Sequence, residues 1–65
     1  MTIKYQGKET ATDAATVAAF LEALGVKTSE VVAEYKGEIL SGAAALAASL
    51  EEGAELNAFR IVAGG

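Results

Sequence analysis

Val17, Phe20, Leu21 and Leu24 recur at i, i+3, i+4 and i+7, which makes one apolar stripe on one helix. This lone stripe constrains the fold most, because it must be buried against something other than a second long helix. Thr16 is the candidate N-cap, with Asp13 as a competitor, and Gly25 directly after Leu24 is a suitable stop. Ala43 to Leu50 also has helical propensity, with Leu46 and Leu50 spaced i, i+4, and predicts a short second helix.

The remaining segments read as strands. Ile3 and Tyr5 alternate with Thr2 and Lys4 over Met1 to Tyr5. Gln6-Gly7 is a hairpin turn, with glycine supplying a positive φ, and the return strand covers Lys8 to Thr12. Val31 to Tyr35, a second tight turn at Lys36-Gly37, and Glu38 to Leu40 form another strand pair. Glu52-Gly53 turns the chain into a last strand over Leu56 to Val62. The expectation is an α+β fold: a mixed four- to five-stranded sheet with one main helix on one face and a short second helix. The last strand is expected between the two hairpins and parallel to the first, which is the β-grasp arrangement.

A chain of 65 residues is one domain, and a domain of this size buries only about 60% of the surface its unfolded chain exposes. Hydrophobic residues make up 52%, but fifteen of them are alanines, so the set of large core candidates is short. The net charge of −4, with Lys4, Lys8, Lys27, Lys36 and Arg60 scattered singly, argues against a nucleic-acid partner. The chain has no Cys and no His, so disulfides, thiolate metal sites and a histidine base are excluded. No convergent set of Asp, Glu and His marks a metal or catalytic site, and the chain reads as no enzyme in itself. No apolar run approaches the roughly 20 residues that span a bilayer, and no signal peptide is evident, so no membrane partner and a cytoplasmic location are expected.

The last strand runs into Ala63-Gly64-Gly65. A frayed end is one reading. The other is an arm that offers the Gly65 carboxylate to another protein, behind a β-grasp domain at 1–62 and a flexible tail at 63–65. If Leu56 and Ala58 face the helix, then Asn57, Phe59 and Ile61 face away from it. That would set an exposed aromatic beside an exposed Ile near the tail, as a partner-binding patch. A register slip of one residue would instead put Phe59 in the core. Arg60 either steers toward an acidic groove on a partner or is simply solvated. Glu51, Glu52 and Glu55 are a recognition patch or solvated turn charges.

The whole chain resembles the ThiS family, the sulfur carriers of thiamine thiazole synthesis. Thr16-Val17 resembles the family's helix start, VVAEYKGEIL over Val31 to Leu40 its strand–turn–strand, and Glu52-Gly53 its acidic-Gly turn. Phe59-Arg60-Ile61-Val62-Ala63-Gly64-Gly65 is similar to its final strand and tail, and is the most specific segment. Lys36 stands where Asn is usual, and Ser41-Gly42 where Pro and a basic residue are often seen. The resemblance implies a ubiquitin-like β-grasp fold. It implies that a ThiF-type, E1-like enzyme uses ATP and magnesium to adenylate the Gly65 carboxylate. Sulfur from a donor protein would then give a terminal thiocarboxylate, delivered to a ThiG-type thiazole synthase. The carrier itself would bind no cofactor. Gly64 would belong to the reactive arm, and Asn57, Phe59, Arg60, Ile61, Val62 and Ala63 to the partner-facing segment. The small subunit of molybdopterin synthase, another Gly-Gly sulfur carrier, a ubiquitin-like modifier and a plain interaction module are the alternatives.

Overall fold

The Thr16 side chain accepts a hydrogen bond from the Ala19 N–H at 3.1 Å and starts the main helix, so the capping role falls to Thr16. The structure is a computed structural model that describes residues 1–61. Its elements are β1 (Thr2–Tyr5), β2 (Lys8–Ala11), α1 (Val17–Ala23), β3 (Val31–Tyr35), β4 (Glu38–Leu40), α2 (Ala43–Leu46) and β5 (Glu55–Arg60). A 3-10 turn, Thr28–Glu30, precedes β3 and was not foreseen from the sequence.

The helix ends one residue earlier than the apolar spacing implies. Leu24 is its C-cap residue, not a member of the buried stripe, and is 49% exposed. Gly25 adopts φ +82°, which reverses the backbone. The Gly25 N–H then reaches the Glu22 carbonyl at 2.9 Å, and the Val26 N–H reaches the Leu21 carbonyl at 3.0 Å. This double closure folds Val26 back against the core, so Val26 continues the stripe in place of Leu24.

The second helix is also shorter than Ala43 to Leu50. After Leu46 the chain becomes extended and pairs with the start of α1: the Val17 N–H donates to the Ala48 carbonyl at 3.0 Å, and the Leu50 N–H to the Ala15 carbonyl at 2.9 Å. The buried Tyr35 hydroxyl donates to the Ser49 carbonyl at 2.7 Å and holds this segment down. Leu46 and Leu50 are both buried, but only Leu46 is reached through a helix. Those tertiary hydrogen bonds outcompete a helix too short to be stable alone.

The five strands are ordered β2-β1-β5-β3-β4. Both hairpins are antiparallel, and β5 lies between them, parallel to β1 and antiparallel to β3. At each tight turn both central residues have positive φ: Gln6 +51° and Gly7 +82°, Lys36 +53° and Gly37 +83°. That backbone matches the right-handed twist of the strands it joins. Ile3, Val17, Phe20, Leu21, Ala33, Tyr35, Leu46 and Leu56 meet between α1 and one sheet face. The Tyr5 and Phe20 rings pack edge to face there, with centroids 5.0 Å apart.

Thr16→Ala removes the only side-chain cap on α1. It should lower stability by about 1 kcal/mol, measured by urea unfolding, with the denaturant slope unchanged.

Candidate functional site

β5 has a helix-facing side and an open side, and its register is fixed from both neighbours. Tyr5 and Tyr35 both pair with Leu56, which is fully buried, and Ala58 packs at the edge of the same core. Side chains alternate along a strand, so Asn57, Phe59 and Ile61 project from the open face. Phe59 is 51% and Ile61 50% exposed.

Phe59 pairs across the sheet with Val32 on β3, and Asn57 with Glu34. Glu34 in turn pairs with Ile39 on β4, which is 63% exposed. Val32 and Ile39 are therefore diagonal neighbours on the open face, next to Phe59. Val32, Phe59 and Ile61 make an apolar area at the end of the sheet where β5 finishes, and Ile39, level with Asn57, extends it toward β4. The rest of that face carries Lys4, Glu9, Glu34, Glu55 and Asn57. The Asn57 side-chain amide donates to Glu34 at 3.3 Å and marks the boundary. Ile39 and Val32 were missed from the sequence. Ile39 sits in a three-residue strand beside Leu40, and only the pairing register shows which of the two faces out.

Arg60 lies on the opposite face from Phe59 and Ile61, because it is one residue out of phase with both. Its guanidinium is 3.5 Å from the Glu30 carboxylate, with the Arg60 side chain largely in water and that of Glu30 about half so. Such a pair contributes at most about 1 kcal/mol. Arg60 lines a groove of about 470 Å³ together with Tyr5, Val26, Lys27, Glu30 and Ala58. The structure does not bring Arg60 together with Phe59.

The three turn carboxylates are also dispersed. Glu51 holds the Lys36 ammonium at 2.7 Å, and this hydrogen bond raises the Lys36 pKa. Both Glu52 carboxylate oxygens accept from the Thr2 N–H, at 3.1 and 3.2 Å. Glu55 alone faces the open sheet beside Lys4. Among the described residues no three His, Cys, Asp or Glu side chains gather where they could hold a metal, and no helix is long and apolar enough to cross a membrane. Val62, Ala63, Gly64 and Gly65, named above as strand end and reactive arm, lie outside the described residues.

A family model described as the ThiS family matches residues 2–65. A solved structure, that of thiamine biosynthesis protein ThiS from Geobacter metallireducens, is similar at a TM-score of 0.79 and 29% sequence identity, covering 100% of both chains. It has the β-grasp architecture described above. None of the curated proteins matches the chain.

Phe59→Ala should change folding stability by less than about 1 kcal/mol, since the ring is half in water. Leu56→Ala, three residues away on the buried side, should cost about 2–5 kcal/mol. Thermal and urea unfolding of the two variants side by side checks the face assignment. A large loss in Phe59→Ala would overturn it.

Proposed function

The chain belongs to the ThiS family, and from that premise we propose that it is a sulfur carrier of thiamine biosynthesis whose working group is the Gly65 carboxylate. The observation that supports this most is positional. The sheet's exposed apolar area lies where β5 ends, and β5 leads into Val62-Ala63-Gly64-Gly65.

A carboxylate is a poor electrophile until one of its oxygens becomes a leaving group. In this reading a ThiF-type enzyme, with ATP and magnesium, supplies the activation. A Gly65 oxygen attacks the α-phosphorus, pyrophosphate leaves, and an acyl adenylate forms. Sulfide released by the sulfur donor then attacks the acyl carbon, AMP leaves, and the carrier ends in a thiocarboxylate. A ThiG-type thiazole synthase takes that sulfur. The chain has no Cys, so no side-chain thiol can hold transferable sulfur in place of the terminus.

Glycine suits the arm because it has no Cβ and accepts backbone angles closed to other residues. Ordering the arm in a partner's channel costs about 1–2 kcal/mol per residue. Docking through Phe59, Ile61, Val32 and Ile39 would offset that cost, since apolar burial at a small central patch supplies much of the energy of an interface.

Three measurements test the proposal. Incubation with the adenylating enzyme, ATP, magnesium and a sulfur donor should raise the intact mass by the difference between sulfur and oxygen. Higher-mass conjugates with other proteins would point to a modifier instead. Removal of Gly65 should abolish ATP–pyrophosphate exchange and leave circular dichroism unchanged. Normal exchange by the truncated chain would sink the carboxylate assignment. Gly64→Ala should keep the melting temperature and the partner affinity but slow adenylation. A non-glycine residue forced to a glycine-only angle costs about 1–3 kcal/mol, roughly tenfold to a hundredfold in rate.

A further inference from the structure

β1 stops before β5 does, and one side chain fills the difference. The parallel ladder between them advances two residues at a time: the Lys4 N–H donates to the Ala54 carbonyl at 2.9 Å, and the Gln6 N–H to the Leu56 carbonyl at 3.0 Å. The next rung would take the Ala58 N–H onto the carbonyl of residue 6 and the N–H of residue 8 onto the Ala58 carbonyl. The chain cannot supply it, because Gln6 and Gly7 have already turned toward β2. The Gln6 carboxamide supplies both halves. Its Oε1 accepts from the Ala58 N–H at 3.3 Å, and its Nε2 donates to the Ala58 carbonyl at 3.1 Å.

Gln6 is a poor residue for its own backbone. At φ +51° it occupies the left-handed region, where Gly and Asn are at ease and Gln is not. Either would suit the turn better, yet neither reaches β5: Gly has no side chain and Asn is one methylene shorter. Glu has the length but, when ionised, only accepts, and would set a charge against the Ala58 carbonyl. Among these, only Gln has both the reach and the paired donor and acceptor of a peptide group.

We propose that Gln6 is a positioning residue for the reactive arm: its carboxamide stands in for the missing peptide of β1 and fixes the course of β5 from Ala58 onward. The inference rests on the carrier reading above. On the other side of β5 the Ile61 N–H is bonded to the Glu30 carbonyl at 2.8 Å. With Gln6 in place the strand is held from both edges close to its last residue. Without Gln6 only the β3 side holds the end of the strand. Docking through the patch persists, because Phe59 stays paired with Val32 and the Ile61 N–H stays on the Glu30 carbonyl, but fewer docked molecules deliver the carboxylate to the adenylating site.

The test uses the full chain as wild type, Gln6→Met and Gln6→Glu. Met matches the length without hydrogen bonds, and Glu retains only the acceptor. Three quantities are read: amide exchange at Ala58 against Leu56, affinity for the ThiF-type enzyme, and ATP–pyrophosphate exchange at saturating carrier. In Gln6→Met the Ala58 amide should exchange about tenfold faster, with Leu56 unchanged. Affinity should hold within about twofold while adenylation falls about tenfold. Gln6→Glu should fall between, with Ala58 still protected. A purely structural role would move melting temperature and affinity together and leave the saturated rate alone. Unchanged Ala58 exchange in Gln6→Met overturns the anchor. Faster Ala58 exchange with full adenylation overturns the positioning role and leaves the carrier reading standing. Failure of wild type to be adenylated overturns the carrier reading, and the positioning role with it.

Discussion

Everything in this domain is arranged around the insertion of β5 between two hairpins made from earlier parts of the chain. Leu56 on that strand is fully buried and is paired on both sides, with Tyr5 and with Tyr35. The pairing joins residues about as far apart as the sequence allows, as in the Gln6–Ala58 contact at a separation of 52. Each hairpin can close locally, but neither has a complete core until β5 arrives. The ordering entropy of that long closure must be met before the core rewards it, which makes β5 docking the cooperative step.

The helix-facing side of the sheet is economical because the chain is small. Six large side chains, Phe20, Ile3, Leu21, Leu46, Leu56 and Val17, are almost wholly out of water, Val31, Tyr35 and Leu50 are nearly so, and several alanines pack around them. Among the described residues no second layer covers the other side. Phe59, Ile61 and Ile39 are left in solvent, although apolar surface of this kind would add stability if buried. This exposed apolar cluster is the surface that the carrier reading proposed above assigns to partner docking.

The turns show how local strain is tolerated when the surrounding structure fixes it. Gln6 and Lys36 both hold left-handed angles, each followed by a glycine. Each also spends its side chain on a distant segment: Gln6 on the backbone of β5 and Lys36 on Glu51. A residue chosen for the turn alone would be shorter in both places. The conflict between local preference and tertiary contact is resolved in favour of the contact, as happens at positions where something beyond folding is served.

Periodicity and punctuation were enough for the order of the strands and main helix and for both hairpin turns, narrowed the helix start to Thr16 or Asp13, and made the central place of the last strand the expectation. These are local: a cap, a glycine and an alternation each act within a few residues, and the topology follows because one helix can cover only one sheet face. Even the side on which Phe59 stands was readable, given that Leu56 is core. What the sequence could not carry is whatever depends on two distant segments meeting. Leu24 loses its place to Val26 because the reversal at Gly25 decides which residue returns to the core. The second helix stops at Leu46 because the Ala48 carbonyl accepts from the Val17 N–H and the Leu50 N–H donates to the Ala15 carbonyl, partners more than 30 residues away. Val32 and Ile39 join Phe59 only through the pairing register, and Arg60 is separated from it by a single step of the pleat. Gln6 read as a turn residue and nothing more, because its carboxamide has no role until β5 lies beside it; only the tertiary structure assigns that role, since a hydrogen bond across 52 residues leaves no trace in local pattern.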